Sequence, residues 1–563
     1  FNPFNTDINT VRGQETGYAT LSPLDSGHSG ASITFSDGNL KAAFPSTSGT
    51  GQAPATIYVS SGKWYCEYYL ESVSDLTSVQ YGIVSSGSKR ASYIGKSDTT
   101  DQYGWEPEID RAYNNGTNTT PTGKTFTSQW SVAAMALDLD NGTWEMFIDG
   151  VPTGTIYSGI SGTYTFAIGD TMGSGYHTHT ANFGQKPFKF PPPDGFQPLN
   201  AANVKPVKVF ARPDQYVGVS TWTGNNGIQS INAGLKPDFV WIKGRSNARD
   251  HVLFDTIRGP LKTLTTNGTA AEATQADTLT AFNSDGFTIG SQSRTGINNE
   301  TYVGWSWKAG GSKNTFNVDD VGYASAAAAG LDAGTVNPNK VSVGTKNGFS
   351  IIELTTPSSG TTYSFAHGLG AKPSFLIARQ YETTGSYYVW HQSLSANNSY
   401  LLLNATNAVN TGSTVWASTD MTSTVISDTA SGHWGTSEKM LYYAWADVPG
   451  LQKFGKYTGN QDADGPFIEL GFRPKLIICK GIDDAEDWYI RDTTRSPYNE
   501  VNKSLRPNDN GAEYSGREID ILSNGFKLRT ADTQVNQSTK SYLYAAWAEA
   551  PTFSLYGAQS NAR

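Results

Sequence analysis

Two histidines have the spacing of a metal-binding pair in this sequence. His177 and His179 would lie on one face of a strand, a spacing that metal ions accept. No third ligand can be identified from the sequence. We therefore interpret the pair as ordinary residues of a β-sandwich and keep a metal site as the alternative.

Two pairs of acids could supply the carboxyl groups of a glycosidase. They are Glu106 with Glu108, and Asp483 with Asp484. Glycoside cleavage needs two carboxyl groups that face each other across the substrate, and neighbours on one loop rarely do so. We predict no catalytic residue at either pair, which leaves a polysaccharide depolymerase as a minor alternative.

Other strings resemble functional motifs but lack a required part. Gly123-Lys-Thr125 has Asn118 where a phosphate loop requires glycine. Gly27-His-Ser-Gly-Ala31 ends on alanine and lacks the strand–turn–helix context of an esterase nucleophile. Asp138-Leu-Asp-Asn-Gly142 and Asn460-Gln-Asp-Ala-Asp-Gly465 offer oxygens to Ca²⁺, but the first fits a hairpin and the second a hydrated turn. The sequence thus predicts no catalytic, cofactor-binding or metal-ligating residue.

The elements that would position any site recur in three copies after residue 200. Each copy has a Gly/Pro turn that feeds a short apolar run ending on a cation, followed later by an aromatic strand. The runs are Gly234-Leu-Lys-Pro-Asp-Phe-Val-Trp-Ile-Lys243, Gly368-Leu-Gly-Ala-Lys-Pro-Ser-Phe-Leu-Ile-Ala-Arg379 and Gly471-Phe-Arg-Pro-Lys-Leu-Ile-Ile-Cys-Lys480; the aromatic strands are Tyr302-Val-Gly-Trp-Ser-Trp307, Leu441-Tyr-Tyr-Ala-Trp445 and Tyr542-Leu-Tyr-Ala-Ala-Trp547. Repetition at this scale indicates a rod of similar β modules rather than one body with a pocket.

Composition agrees with an all-β binding protein. The 563 residues include 59 Gly and 25 Pro for turns, and 29 Tyr, 25 Phe and 14 Trp for strands. Only 16% of residues are charged, the net charge is -9, and no basic run is present, so we expect no nucleic-acid partner. No stretch approaches the roughly 18 apolar residues of a spanning helix, so we expect no membrane insertion. Cys66 and Cys479 lie in apolar strand patterns, which predicts buried free thiols, with a disulfide or a reactive thiol as alternatives.

The sequence divides into five predicted segments. Residues 1–200 form one β domain, in which Asn141-Gly142 between alternating stretches is a strong hairpin signal. Residues 312–343 are predicted to be a linker with a short helix, because Asp319 and Asp320 can cap a run of alanines that ends at Gly330. The three repeats occupy 201–311, 344–450 and 451–563. Because the first residue is Phe1 rather than Met, we expect the numbering to begin inside a longer or processed product.

Three sets of residues in the first domain suggest a family. They are Gly62-Lys-Trp-Tyr-Cys-Glu67, Ala136-Leu-Asp-Leu-Asp-Asn-Gly142 with Phe147-Ile-Asp-Gly150, and most specifically Ala181-Asn-Phe-Gly-Gln-Lys-Pro-Phe188. In these residues the domain resembles a SPRY domain, a bent β-sandwich used for binding. The opening string at 2–17 resembles the start of SPRY domains in bacteriophage proteins. Thr127-Ser-Gln-Trp-Ser-Val132 departs from the pattern, which usually has a Gly-Asp turn there, and leaves the shape of that loop open.

The later modules contain four strings that suggest a second family. They are Val343-Gly-Thr-Lys-Asn-Gly-Phe-Ser-Ile-Ile352, Tyr457-Thr-Gly-Asn-Gln-Asp-Ala-Asp-Gly-Pro-Phe467, Trp547-Ala-Glu-Ala-Pro551 and the terminal Asn561-Ala-Arg563. In these strings the modules resemble C-terminal repeats of tail-fibre-like and other virion proteins of phages. The expected fold class is all-β, a SPRY-like (concanavalin-like) β-sandwich followed by three tandem β-sandwich-type repeats. This family carries no catalytic residues to transfer.

The resemblance implies a non-enzymatic virion component on a tail fibre or the capsid surface. We expect an adhesin that binds a host cell-surface glycan or protein, needs no cofactor, and has other virion proteins as partners. A homo-oligomer is expected, a trimer if the protein is a tail fibre. The alternative is a purely structural capsid decoration or fibre-shaft protein.

Four aromatic residues are candidates for stacking on sugar rings. They are Tyr103, Trp105, Tyr387 and Trp390. An aromatic face can bury the apolar C–H patches of a sugar. The competing interpretation is that these rings pack inside the sandwiches.

Overall fold

A computed structural model describes residues 17–96, 101–171, 175–200, 203–204, 212–358, 361–411, 415–430, 435, 437–553 and 559–560. The chain divides into two compact units, Phe1–Val207 with Pro466–Glu469, and Lys208–Gly465 with Leu470–Arg563. Residues 2–16 of the opening string and the terminal 561–563 lie outside the described residues.

The first unit consists of short strands and a single-turn 3-10 helix at Leu76–Ser78 in its described part. The strands are β1 (Gly27–His28), β2 (Thr34–Ser36), β3 (Lys41–Phe44), β4 (Gly51–Pro54), β5 (Lys63–Val73), β6 (Val79–Ser85), β7 (Gln102–Glu106), β8 (Arg111–Asn114), β9 (Thr117–Thr119), β10 (Val132–Asp138), β11 (Thr143–Ile148), β12 (Val151–Ser158), β13 (Tyr164–Asp170), β14 (His177–Asn182) and β15 (Gln197–Pro198).

Two sheets enclose the core of the first unit. One has the order β1-β4-β13-β6-β7-β8-β9, and the other the order β12-β11-β10-β5-β14-β3-β2 with β15 beside β5. Trp64, Met135 and Trp144 from the second sheet share one buried cluster with Ile83 and Phe166 from the first. This confirms the predicted sandwich. The predicted hairpin is also confirmed, since β10 pairs with β11 across residues 139–142.

The second unit holds the three repeats. Its strands are β16 (Val217–Thr223), β17 (Gln229–Asn232), β18 (Phe239–Gly244), β19 (Val252–Asp255), β20 (Lys262–Thr265), β21 (Ala273–Thr274), β22 (Leu279–Phe282), β23 (Gly286–Ile289), β24 (Thr301–Trp307), β25 (Phe316–Val318), β26 (Val321–Tyr323), β27 (Lys340–Gly344), β28 (Phe349–Thr355), β29 (Thr361–Ala366), β30 (Phe375–Gln380), β31 (Tyr388–His391), β32 (Leu401–Leu402), β33 (Val425–Ala430), β34 (Lys439–Trp445), β35 (Gln452–Thr458), β36 (Phe467–Glu469), β37 (Pro474–Gly481), β38 (Trp488–Asp492), β39 (Val501–Ser504), β40 (Tyr514–Leu522), β41 (Gly525–Leu528), β42 (Ser541–Ala548), β43 (Thr552–Phe553) and β44 (Gln559–Ser560), with β36 in the short segment grouped with the first unit.

Helices are short in the described part of this unit. They are a 3-10 turn at Pro213–Gln215 and α1 (Thr533–Asn536). None of the helices in the described ranges has the length and apolar character needed to cross a bilayer.

Every repeat is built on the same four-strand order. The orders are β16-β24-β18-β19, β28-β34-β30-β31 and β35-β42-β37-β38. Each has a partner sheet, which contains β17-β23-β22, β29-β33 and β41-β40-β39 respectively. The predicted apolar runs are β18, β30 and β37. The aromatic strands are β24, β34 and β42, each hydrogen-bonded beside its run. The predicted all-β class with sandwich-type repeats is confirmed.

One core joins the three repeats. Side chains of a strand alternate between its two faces, and both faces of these four-stranded sheets are apolar. Trp307, Trp445 and Trp547 meet at its centre, with ring centroids 6.1 Å (307–445), 5.4 Å (307–547) and 6.0 Å (445–547) apart. The expected rod of separately closed modules is therefore corrected, because the repeats close together around a shared interior.

Buried cations link the repeats in a cycle. The cation that ends each apolar run donates to backbone carbonyls of a different repeat, first to third, second to first and third to second. The bonds are Lys243 Nζ to Gly511 O at 2.8 Å, Arg379 Nη2 to Ala270 O at 2.9 Å, and Lys480 Nζ to Thr406 O at 3.2 Å. In each repeat, the cation at the end of the apolar run therefore binds a loop of another repeat.

A second cycle of polar contacts involves the last residue of the fourth strand of each sheet, which is β19, β31 or β38. The contacts are Tyr443 Oη donating to Asp255 at 2.8 Å, Trp305 Nε1 donating to Asp492 at 3.0 Å, and His391 Nε2 lying 3.1 Å from Tyr544 O. Each joins two different repeats, so the shared core is closed by polar as well as apolar contacts.

The helix predicted at 319–330 is wrong. Asp319 and Asp320 have φ angles of 50° and 65°, and they form the two-residue turn of a hairpin between β25 and β26. Two residues with positive φ are what such a hairpin turn requires, and aspartate tolerates this conformation. The proposed linker also differs from the structure, since β25, β26 and β27 extend the sheet of the second repeat.

Replacing Trp445 by alanine tests the shared core. We expect a loss of about 3–5 kcal/mol from the free energy of unfolding of the second unit, because a large buried ring leaves a cavity. Hydrogen exchange should accelerate in all three repeats, whereas Ile228→Ala, at an 80% exposed side chain, should leave it unchanged. Faster exchange confined to 344–450 would contradict a common core.

Replacing Lys243 by methionine tests the cation cycle. The carbonyls of Gly244 and Gly511 would lose their buried donor, at a cost of about 1–3 kcal/mol. Exchange of the amide hydrogens at 508–511 should become faster. Lys346→Met, at an exposed lysine, is the matched control. Unchanged exchange at 508–511 would show that the lysine does not hold this loop.

Candidate functional site

An open groove of about 720 Å³ lies on the first unit where β5 and β14 run side by side. Tyr69 and Glu71 from β5 and Thr180 from β14 line it. On β5 these positions alternate with Tyr68 and Leu70, which belong to the core. The groove therefore opens on the side of the sheet turned away from the core.

One wall of the groove is the string at 181–188 that carries the SPRY resemblance. Asn182 Oδ1 accepts a hydrogen bond from the backbone N–H of Lys186 at 3.3 Å. The buried carboxylate of Glu67 accepts from the N–H groups of Lys189 and Phe190, both at 2.9 Å. These bonds fix the wall and leave the side chain of Lys186 exposed at the groove.

The opposite wall is formed by Gln129, Trp130 and Ser131. The carboxylate of Asp149 accepts from the Ser131 N–H at 3.0 Å, and Trp130 Nε1 donates to the hydroxyl of Tyr81 at 3.0 Å. This wall lies in the segment 127–132, where the sequence departs from the SPRY pattern. Both walls therefore lie in strings that the sequence singles out, but Gln129, Glu71 and Lys186 were not predicted as site residues.

The groove carries mixed polar groups and a single acid. Glu71 accepts from the Thr180 hydroxyl at 2.5 Å and pairs with Lys41. These contacts, the Lys41 bond first, lower the pKa of Glu71, so its carboxylate is ionised at neutral pH. Gln129 adds an amide. Glu71 is the one acid among the described residues that line the groove, whereas two-carboxylate glycoside cleavage uses a pair.

The predicted stacking aromatics do not form an exposed surface. Trp105, Tyr387 and Trp390 are buried, at 0%, 0% and 2% exposure. Tyr103 is half-buried and packs edge-on against the ring of Tyr157, with centroids 4.9 Å apart. The stacking interpretation is therefore corrected for the three buried rings, because apolar alternation places them inside the sheets.

The two histidines of β14 lie side by side inside the sandwich. His179 Nε2 is 3.1 Å from His177 Nδ1, and the His177 ring stacks on Phe44 at 4.3 Å. Burial lowers the pKa of His179 to about 3 and the pKa of His177 well below its usual value, so both rings are neutral at pH 7. Within the described ranges no three histidines, cysteines or acids form a group that could hold a metal ion.

Neither of the two carboxylate pairs considered from the sequence lines the groove. Burial raises the pKa of Glu106 to about 7, and the Tyr113 hydroxyl donates to it at 3.2 Å. Asp483 accepts from the N–H of Ser541 at 2.6 Å, and Asp484 binds the Lys540 ammonium at 2.9 Å. Glu106, Asp483 and Asp484 thus accept hydrogen bonds from neighbouring residues of the protein.

The strings that resemble ligand-binding turns are occupied by internal hydrogen bonds. Asp110 accepts from the N–H of Gly123 at 2.6 Å, so a carboxylate takes the place that a phosphate would need. His28 Nδ1 accepts from the N–H of Gly30 at 3.0 Å, which leaves it unable to activate Ser29 through that nitrogen.

The two calcium-like strings are also committed to internal contacts. Asp138 accepts from the N–H groups of Asp140 and Asn141, both at 3.0 Å, inside its hairpin. Asp464 pairs with Arg529 at 2.9 Å. The oxygens that could face an ion therefore already bind donors of the protein.

Both cysteines are free and buried, as predicted. Burial raises the pKa of the Cys66 thiol well above its usual value and the pKa of the Cys479 thiol to about 11. The thiols are neutral and are packing residues.

Residues 212–551 match the model of the family described as Domain of unknown function (DUF7483), and the chain belongs to this family. Among solved structures, the chain is similar to the SPRY domain of human HERC1, at 15% identity over 30% of this chain and 99% of that chain, with a TM-score of 0.26. It is also similar to the TRIM65 PSpry domain, at 16% identity over 29% of this chain and 91% of that chain, with a TM-score of 0.23. No curated protein matches the chain.

The buried histidines predict acid sensitivity of the first unit. The unfolded chain takes up a proton on His179 near pH 6.5, whereas the folded chain does so only near pH 3. Stability is therefore lost as the pH falls below 6.5, by about 2 kcal/mol for this residue at pH 5. His179→Phe should remove that part of the pH dependence in urea unfolding at pH 7.5 and pH 5. An unchanged slope would mean that the ring is not neutral in the fold.

Proposed function

We propose that the protein is a non-enzymatic component of a bacteriophage particle, on a tail fibre or the capsid surface, that binds a glycan of the host cell surface. The virion assignment rests on the motif resemblance of the first domain and the repeats. The observation that carries the binding role is the groove of the first unit, with walls at 129–131 and 181–186.

The groove has the chemistry that hydroxyl-rich ligands need. The amide of Gln129, the ammonium of Lys186, the carboxylate of Glu71 and the hydroxyls of Ser131 and Thr180 offer both donors and acceptors. The ring of Tyr69 adds apolar area beside them. An open groove of this kind accommodates part of a polymer rather than enclosing a small molecule.

Non-enzymatic binding is supported by the state of the ionisable groups. The histidines of β14 are neutral and enclosed, and the one acid of the groove is held by Lys41. Catalysis needs an acid or base that can reach a substrate in the correct protonation state. The groups described at the groove do not include an acid and a base that could act together on a substrate.

Binding should be measured with the full chain displayed in many copies on an array of bacterial capsular and lipopolysaccharide glycans. Modest single-site affinity is raised by multivalency. We expect Gln129→Ala and Lys186→Ala to weaken binding about tenfold each, since each removes a hydrogen bond worth about 1.4 kcal/mol. Lys346→Ala, an exposed lysine of the second unit, should bind like the parent chain.

Three outcomes would change the proposal. Equal binding by both wall variants would place the contact elsewhere on the chain. No binding to glycans or host cells at high valency would favour a purely structural decoration or shaft protein. New reducing ends after incubation with a polysaccharide would show a depolymerase and remove the non-enzymatic assignment.

A further inference from the structure

The third repeat has a buried arginine where the other repeats have aromatic rings. Phe254 in β19, Trp390 in β31 and Arg491 in β38 occupy equivalent positions. Each lies opposite the corresponding residue of the adjacent apolar strand, namely Val240, Leu376 and Ile477. Phe254 and Trp390 are buried core residues. The side chain of Arg491 is also buried, at 1% exposure, on the face turned away from the shared core.

Two of the three guanidinium nitrogens of Arg491 lack the hydrogen-bond acceptors that a buried charge requires. Its Nε and Nη2 atoms are buried and have no hydrogen-bond acceptor among the described residues. Among the described residues of the second unit, each of the other buried lysines and arginines has at least one acceptor: Lys243, Arg379, Arg473, Lys480, Arg495 and Lys527. An unpaired buried cation is costly, so the missing partner calls for an explanation.

The groups next to Arg491 are an aromatic ring and a second arginine, and neither balances its positive charge. The guanidinium lies 5.4 Å from the centre of the Tyr489 ring, and Arg517 lies 4.9 Å from the same ring. Arg517 is paired with Asp532 at 3.2 Å. No carboxylate in the described part of the chain pairs with Arg491, so stacking on Tyr489 supplies a weak attraction and no counter-charge.

The other ionisable neighbours are neutral. Burial raises the pKa of the Cys479 thiol to about 11, and burial also raises the pKa of the Tyr457 hydroxyl well above its usual value. The Tyr457 hydroxyl donates a hydrogen bond to the backbone oxygen of Val535 at 2.9 Å. The polar groups around Arg491 therefore lack the negative charge that would balance it.

We propose that Arg491 binds a small inorganic monoanion of halide size through Nε and Nη2. An anion would supply both the hydrogen-bond acceptor and the counter-charge, whereas water would supply only the acceptor. The enclosure of the side chain excludes a polymer or a large phosphate ester. This site belongs to the third repeat and is independent of the groove on the first unit.

Bromide is the direct probe for this site. A crystal of the full chain soaked in bromide should show an anomalous peak within about 3.5 Å of Arg491 Nε or Nη2. Chloride should raise the melting temperature of the second unit by about 2–4 °C relative to gluconate at equal ionic strength, with saturation. The absence of a halide peak at the guanidinium would overturn the proposal.

Arg491→Phe is the informative variant, because the first repeat already holds Phe254 in the equivalent place. It should fold, lose the bromide peak and lose the chloride-specific rise. Arg212→Phe, at an exposed arginine of the same unit, should keep both. An equal chloride response in Arg491→Phe would show that the effect arises elsewhere, and the bromide experiment on the parent chain decides the matter if the variant does not fold.

Discussion

The burial of three tryptophans against one another is the contact on which the second unit depends. Trp307, Trp445 and Trp547 come from three strands about a hundred residues apart in sequence, and each ring touches the other two. Their sheets are apolar on both faces, so each sheet needs two coverings. The partner sheet of each repeat covers one face, and the other repeats cover the second. Polar contacts add to this apolar contact, because each buried cation also donates a hydrogen bond to a backbone carbonyl of another repeat.

Local patterns in the sequence predicted the elements well. The apolar runs, the aromatic strands and the hairpin at Asn141-Gly142 each appear as strands or turns, because alternation and turn chemistry are written in neighbouring residues. The helix at 319–330 failed for an equally local reason. Asp319 and Asp320 serve both as helix caps and as hairpin-turn residues, and the pairing of Val318 with Val321 decides between them.

Long-range packing could not be predicted in the same way. Apolar runs indicate burial but do not say which surface covers them, so the convergence of three repeats on one core was missed. The groove shows the same limit. Gln129 and Lys186 lie far apart in sequence, and only the pairing of β5 with β10 and β14 brings their loops together. Trp105 and Trp390 were attractive as ligand platforms only because sequence does not report the face on which a ring lies.

The cyclic order of the cation–carbonyl bonds has a consequence for how such a chain can evolve. A linear array of repeats grows or shrinks by whole units, since each unit needs only its neighbours. Here the cation of the first repeat donates to a loop of the third, which completes the cycle of hydrogen bonds among the three repeats. In this arrangement each of the three loops is already bound by a cation, so a fourth repeat would have no free loop to bind. Copy number is therefore fixed by geometry, and diversity among relatives is expected to arise by substitution within each copy, as at Arg491, rather than by gain or loss of copies.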